Sequence, residues 1–317
     1  MTIEIYELLE LQDWICLDKL NWNKLSENPN AIQLLEKNLA KIDWIMLPLN
    51  PNAIHLLEKH KNKIYWNYLL ENPNAMHLFK NKDKINSFLA KDKFYEKRKR
   101  ITFTMLWYLS ANTNSNAIKL LEENLDQVNW CELSGNTNPM AIDLLERNID
   151  KIDWSILSAN PSAIHLLEKN IDKINWYWAS SNPNAISLLE QNRDNIIWTS
   201  LSANPNAVHL LEKNIDKIVW TSLSSNPNAI QLLERNQDNI DWYFLSANPN
   251  AIHLLKKNQD RIVWWQLSSN PSIFDKTINY KFLKERIDVI REELVMKCMH
   301  PDKLGRWIEM GGDIDDF

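Results

Sequence analysis

Asn160-Pro161-Ser162-Ala163-Ile164-His165-Leu166-Leu167-Glu168-Lys169-Asn170, running on through Ile171-Asp172-Lys173-Ile174-Asn175-Trp176, is the stretch that decides the fold. It is one copy of a 22-residue phrase. Asn-Pro or its counterpart recurs at 160, 182, 204, 226, 248 and 270, and Trp recurs at 154, 176, 198, 220, 242 and 264. A fixed period of this length is the mark of a repeat array, in which each unit buries its apolar face only against its neighbours. Asn-Pro is a helix-start signal: proline pushes the preceding residue out of the helical region, and the asparagine side chain can accept from a free N–H. A helix is therefore expected from Pro161, with Ala163, Ile164, Leu166 and Leu167 as its apolar stripe and Asn170 as a left-handed stop. At about nine residues it is too short to stand alone.

In the second half of the phrase Asp172 has counterparts at Asp126, Asp150, Asp194, Asp216, Asp238 and Asp260, positions suited to capping a second short helix. Ile174, Trp176, Trp178 and Ala179 spread around a helical wheel, which fits either burial on several sides or a tighter 3-10 turn. The expected fold class is all-α: an α-solenoid of short helix pairs, about eleven repeats with terminal caps, forming a curved rod on the order of 100 Å long at one helix spacing per unit.

Outward from that stretch, residues 1–27 read as an N-terminal cap or half-repeat, 28–79 as regular repeats, and 80–111 as a degenerate basic repeat or insertion. Residues 112–269 return to regular repeats. Residues 270–317 read as capping helices, chiefly Lys281 to Met299, and an acidic tail that seal the open end. Two units carry a two-residue insertion, at Asn112-Thr113-Asn114-Ser115 and Asn136-Thr137-Asn138-Pro139, placed in the inter-repeat turn.

The 317 residues include 44% hydrophobic residues and only 4 Gly, which excludes disordered and collagen-like classes. A net charge of -5, with both signs mixed inside every unit, gives no broad basic face for nucleic acid. Three distant cysteines, Cys16, Cys131 and Cys298, speak against a disulfide framework and read as packing residues in a reducing compartment. Acids near the N-terminus, and no run of ~18 apolar residues, point to a soluble, non-secreted protein without membrane contact.

No catalytic constellation, phosphate loop or metal cluster is evident, so neither an enzyme nor a cofactor is expected. His55, His77, His165, His209 and His253 share one helical position, but neighbouring units stand roughly 10 Å apart, too far to share one zinc. They read as solvated. Repeated Trp beside Leu and Ile reads as inter-repeat packing in preference to an exposed stacking ladder. Lys97-Arg98-Lys99-Arg100 offers a possible nucleic-acid contact, with a solvated loop as the plainer reading. The two residues after each Trp vary most between units. Among them Tyr177, Trp178, Tyr243, Phe244 and Trp265 would anchor a protein partner if exposed, or else pack under the next unit.

The Asn-Pro-Asn-Ala-Ile-His-Leu-Leu phrase (Asn248 to Leu255), the following Asp-Lys-Ile-x-Trp-x-x-Leu-Ser, and the ending His300-Pro301-Asp302-Lys303-Leu304 with Trp307 to Gly312 resemble repeat proteins of giant nucleocytoplasmic DNA viruses, mimivirus relatives in particular. The resemblance covers nearly the whole chain and implies a viral scaffold or adaptor in the host cytoplasm, or alternatively a virion component. It carries over no catalytic residue. Leu-Ser-x-Asn-Pro followed by a helix is also similar to the leucine-rich variant, an α-solenoid of alternating α and 3-10 helices, from which this chain departs in period and in its Trp column.

Overall fold

A computed structural model describes residues 7–79 and 108–278, together with Arg291. The segment holding Lys97, Arg98, Lys99 and Arg100, and the expected C-terminal capping helices and acidic tail apart from Arg291, lie outside the described residues. The chain divides into two compact units, one formed by residues 1–10 with 275–317 and the other by Leu11–Phe274. β1 (Glu7–Leu11) and β2 (Phe274–Ile278) pair as a two-stranded sheet.

The second unit is mostly helical, and its repeats are each built from three pieces. In the unit that opens at Asn160 these are an α-helix over Ile164–Lys169, a 3-10 turn over Ile171–Lys173, and an α-helix over Trp176–Ser181. The first helix starts three residues later than its Asn-Pro signal predicts. Asn160 instead folds the backbone into a turn, accepting the amide of Ser162 on Oδ1 and that of Ala163 on its carbonyl. The units with the two-residue insertion begin their α-helix at the expected point, over Ser115–Glu122 and Pro139–Arg147, because the extra residues separate the two asparagines and free the second as the cap, and in two other units a 3-10 helix starts at the proline, over Pro73–Phe79 and Pro249–Ala251. Asn170 is not a left-handed stop. Its φ is -137°, and it ends the helix by donating its side-chain amide to the Leu166 carbonyl at 2.9 Å. The aspartates at Asp172 and its equivalents sit inside the 3-10 turn, while the true cap of the Trp helix is the residue just before Trp, such as Asn175 or Asp241. The segment thus holds a 3-10 turn followed by an α-helix, and that helix is not buried on several sides, since Trp178 is exposed.

Ala163, Leu166, Leu167, Ile174 and Ala179 are buried, as are most of their counterparts in other units, whereas Leu34, Leu120, Ile196 and Ile164 are only half-buried. Each large aliphatic so buried contributes about 2 kcal/mol, enough in sum to hold helices of six residues that would melt alone. Between units the register is fixed by polar bonds. Asn182 donates its amide to the carbonyls of Ser158 and Asn160 at 3.0 and 3.1 Å, and buried Ser180 donates to Trp176 while accepting the amide of Ile197. Asn184 donates to the Pro161 carbonyl at 2.9 Å.

The open rod with capped ends is corrected by where these ladders go. Asn28 donates to the carbonyls of Ser268 and Asn270, both at 3.1 Å. Asn30 donates to Pro271 at 2.9 Å, and Ser268 Oγ accepts the amide of Asn21 at 2.8 Å. Lys19 lies 4.8 Å above the Trp264 ring, as Lys41 does above Trp22. The first unit therefore makes to the last the same contacts that every unit makes to its predecessor, and the Asn ladder runs through eleven buried asparagines (28, 50, 72, 112, 136, 160, 182, 204, 226, 248, 270) back to its start. The closing unit is split. Asn270–Ile273 supply its opening turn, and Leu17–Lys19 with Trp22–Glu27 supply its 3-10 turn and Trp helix from the other end of the chain. Leu17–Lys19 with Trp22–Glu27 do form half a repeat, and its face is covered by the last unit.

Successive Trp helices run closest together, whereas most first helices of neighbouring units stand further apart. The Trp helices therefore form the inner circumference of the circle, about 100 Å around at ~9 Å per helix.

Candidate functional site on the inner helices

In a Trp helix the fourth and fifth residues, such as Leu245 and Ser246, turn into the ladder and are buried, and the residue before Trp ties down the first turn. The second residue, and in most units the third, is left projecting, Ser200 being buried. Tyr177, Trp178, Tyr243, Phe244 and Trp265 all lie at these positions and are exposed by 50, 41, 44, 39 and 46%. The alternative of packing beneath the next unit is thereby removed. Tyr177 and Trp178 meet edge to face with centroids 5.2 Å apart, as do Tyr243 and Phe244. Trp265, in the unit after Phe244, has Lys24 5.3 Å from its ring centre, a contact across the closing junction.

The structure therefore makes two aromatic patches, one at 177–178 and one at 243–265, with Thr199, Ser200, Thr221 and Ser222 at the equivalent positions between them. From Trp154 to Ser269 the second, third and sixth residues of the Trp helices include no charged side chain. This uncharged arc was present in the sequence, but it emerges only when positions are compared between units and not along the chain.

Trp154, Trp176, Trp198, Trp220, Trp242 and Trp264 are half-buried, not core residues. The cause is visible at several units, where a cation from the following unit covers the ring: Lys173 over Trp154, Lys217 over Trp198 and Arg261 over Trp242, at 4.9, 4.8 and 5.3 Å. Trp here shares its face between packing and a cation. The histidines are not simply solvated. His55, His77, His165, His209 and His253 each reach a glutamate of the preceding unit, as in His253–Glu234 at 2.8 Å. Among the described residues no group of three or more His, Cys, Asp or Glu could hold a metal ion, and no helix is long and apolar enough to cross a membrane. Cys16 and Cys131 are exposed, which corrects their reading as packing residues.

Comparison with protein-family models, with curated proteins and with solved structures found no match for this chain.

Proposed function

We propose that residues 11–274 form an α-solenoid closed on itself, and that it acts as a non-enzymatic scaffold for a protein partner. The partner is bound through Tyr177, Trp178, Tyr243, Phe244 and Trp265. The observation that carries this reading is the exposure of five large aromatic side chains on the inner helices, at positions where other units carry Thr or Ser with no loss of the frame. Large aromatics held open on a rigid frame are the residues that dominate protein interfaces, and leaving them in water otherwise only invites aggregation. The resemblance of the repeat phrase to giant-virus proteins supports an adaptor role in an infected host cell.

The test compares the full chain with a variant in which all five aromatics are Ser, each used to co-purify partners quantified by mass spectrometry. A partner set depleted more than tenfold by the variant supports the reading. An unchanged set removes it.

A further inference from the structure

The closed ladder fixes which residues stand opposite one another across the circle. Asn50 and Asn182 are five ladder steps apart one way and six the other, so their units are nearly diametric. In the unit of Asn50 a turn at residues 44–46 and the 3-10 helix Leu47–Leu49 replace the Trp helix, and Ile45 at the second position is exposed by 49%. In the unit of Asn182 the same position is Tyr177, with Trp178 beside it. Tyr243, Phe244 and Trp265 belong to the units of Asn248 and Asn270, which lie between those two on the six-step side. Large apolar side chains therefore stand exposed on three sides of one lumen and not along a single flank.

The second, third and sixth residues of a helix fall within a sector of about 100°, so each Trp helix lies along the wall with one long side to the lumen. Among the described residues these positions carry a charge only at Lys24, Glu27, Glu71 and Glu132, and Lys24 pairs with Glu27 at 3.5 Å. A circle of helix axes ~100 Å around has a radius of roughly 16 Å, and subtracting half a helix diameter leaves a lumen roughly 20 Å across.

We propose that this lumen is a socket for one α-helix of the partner, apolar around its whole circumference. The inference rests on the protein-binding reading of the five aromatics and adds Ile45 to them. A helix with its side chains is roughly 10–12 Å wide, so it enters the lumen and leaves a gap that large side chains bridge and Ser or Thr do not. A wall that is almost free of charge and reaches in from three sides rewards apolar surface on every side of its guest. A polar face placed there would lose water without gaining a partner, and phosphates would find no counter-charge. A helix that is hydrophobic all round needs burial all round. A closed ring supplies that enclosure, whereas an open surface covers one side only.

The probe is a synthetic helix of about fourteen alternating Leu and Ala residues with lysines at both ends, long enough at about 21 Å for the lysines to stand clear of wall helices about 9 Å long. Its binding to the full chain is followed by fluorescence anisotropy, against a control of equal length with Leu on one face and Gln on the other. Binding of one probe per chain is expected, at least tenfold tighter than the control. Trp178→Asp and, across the lumen, Ile45→Asp should each weaken it at least tenfold, and a benzophenone at the centre of the probe should cross-link to both walls. Trp178→Ser and Ile45→Asn take the place of a charged variant that fails to fold. No saturation by ~20 μM, a concentration that fills a site of ordinary affinity, overturns the socket, as does equal binding of the control or sensitivity to Trp178 alone. In each of those cases co-purification with the five-Ser variant still decides the proposed function separately.

Discussion

Asn28 donates its side-chain amide to the carbonyl of Asn270, 3.1 Å away and 242 positions later, the bond that Asn50 makes to Asn28 at 2.7 Å. Both asparagines donate to two carbonyls of the adjoining unit and accept the amide two residues on. The junction should therefore be as strong as any interior joint. Asn28→Ala and Asn204→Ala each remove two buried hydrogen bonds and one part-buried one, and each is expected to cost about 2–4 kcal/mol at ~1 kcal/mol per bond plus the orphaned groups. Urea unfolding of the two variants checks this. An Asn28→Ala cost near zero beside a large Asn204→Ala cost would mean that the junction does not bear load.

A circle fixes its number of units in a way that an open array does not. Removing residues 182–203, one full period, would force each remaining unit to turn roughly 36° where roughly 33° closes the circle of eleven. Loss of amide-exchange protection is expected at Asn21, whose N–H donates to Ser268 Oγ across the junction, with a lowered melting temperature. An open stack would lose only one unit's share of stability.

Ser202 donates to the Trp198 carbonyl and accepts the amide of Val219 in the next unit. Ser202→Ala leaves that amide buried without its partner and should cost about 1–3 kcal/mol. Equilibrium unfolding measures it, with Trp178→Ser as the contrast: an exposed aromatic on the same inner wall should move stability by no more than ~0.5 kcal/mol.

Much of this was legible in the sequence, and the illegible part has a definite cause. The period, the Leu166-Leu167 type pairs and the variable Tyr177-Trp178 positions follow from spacing alone, because helix faces and repeat equivalence are local properties. Where Asn160 misled, the reason was competition: its side chain satisfied the amide two residues on and delayed the helix to Ile164. Closure was hidden for a different reason. Leu17-Asp18-Lys19 matches Ile149-Asp150-Lys151, so half a unit could be recognised, but its complement lay at Asn270–Ile273. Nothing local says that two fragments at opposite ends make one whole. Curvature is a sum of small rotations that no single unit displays.

Glu71 gives the molecule a pH dependence of determinate sign. Its pKa is raised above 4.5 in the folded chain, so between 4.5 and that raised value the folded state holds more proton than the unfolded one. This contribution to stability is present at low pH and is lost as pH rises through the raised value. Chemical denaturation across that range should show Glu71→Gln flattening the decline. An unchanged slope would show that neither burial nor the Glu132 charge raises the Glu71 pKa in the folded chain.

The split unit also sets a timetable. During synthesis the Trp22–Glu27 helix emerges first, yet the carbonyls that receive Asn28 belong to residues some 240 positions downstream. Interior units can dock on their neighbours as they appear, but the founding helix must keep one flank wet until the last turn arrives, and the entropy of joining such distant points falls on a single late event. A ribosome-stalled chain ending before Ser268 would thus be an arc with two sticky flanks, prone to join a second arc, so that completion of the chain itself acts as the guard against misassembly.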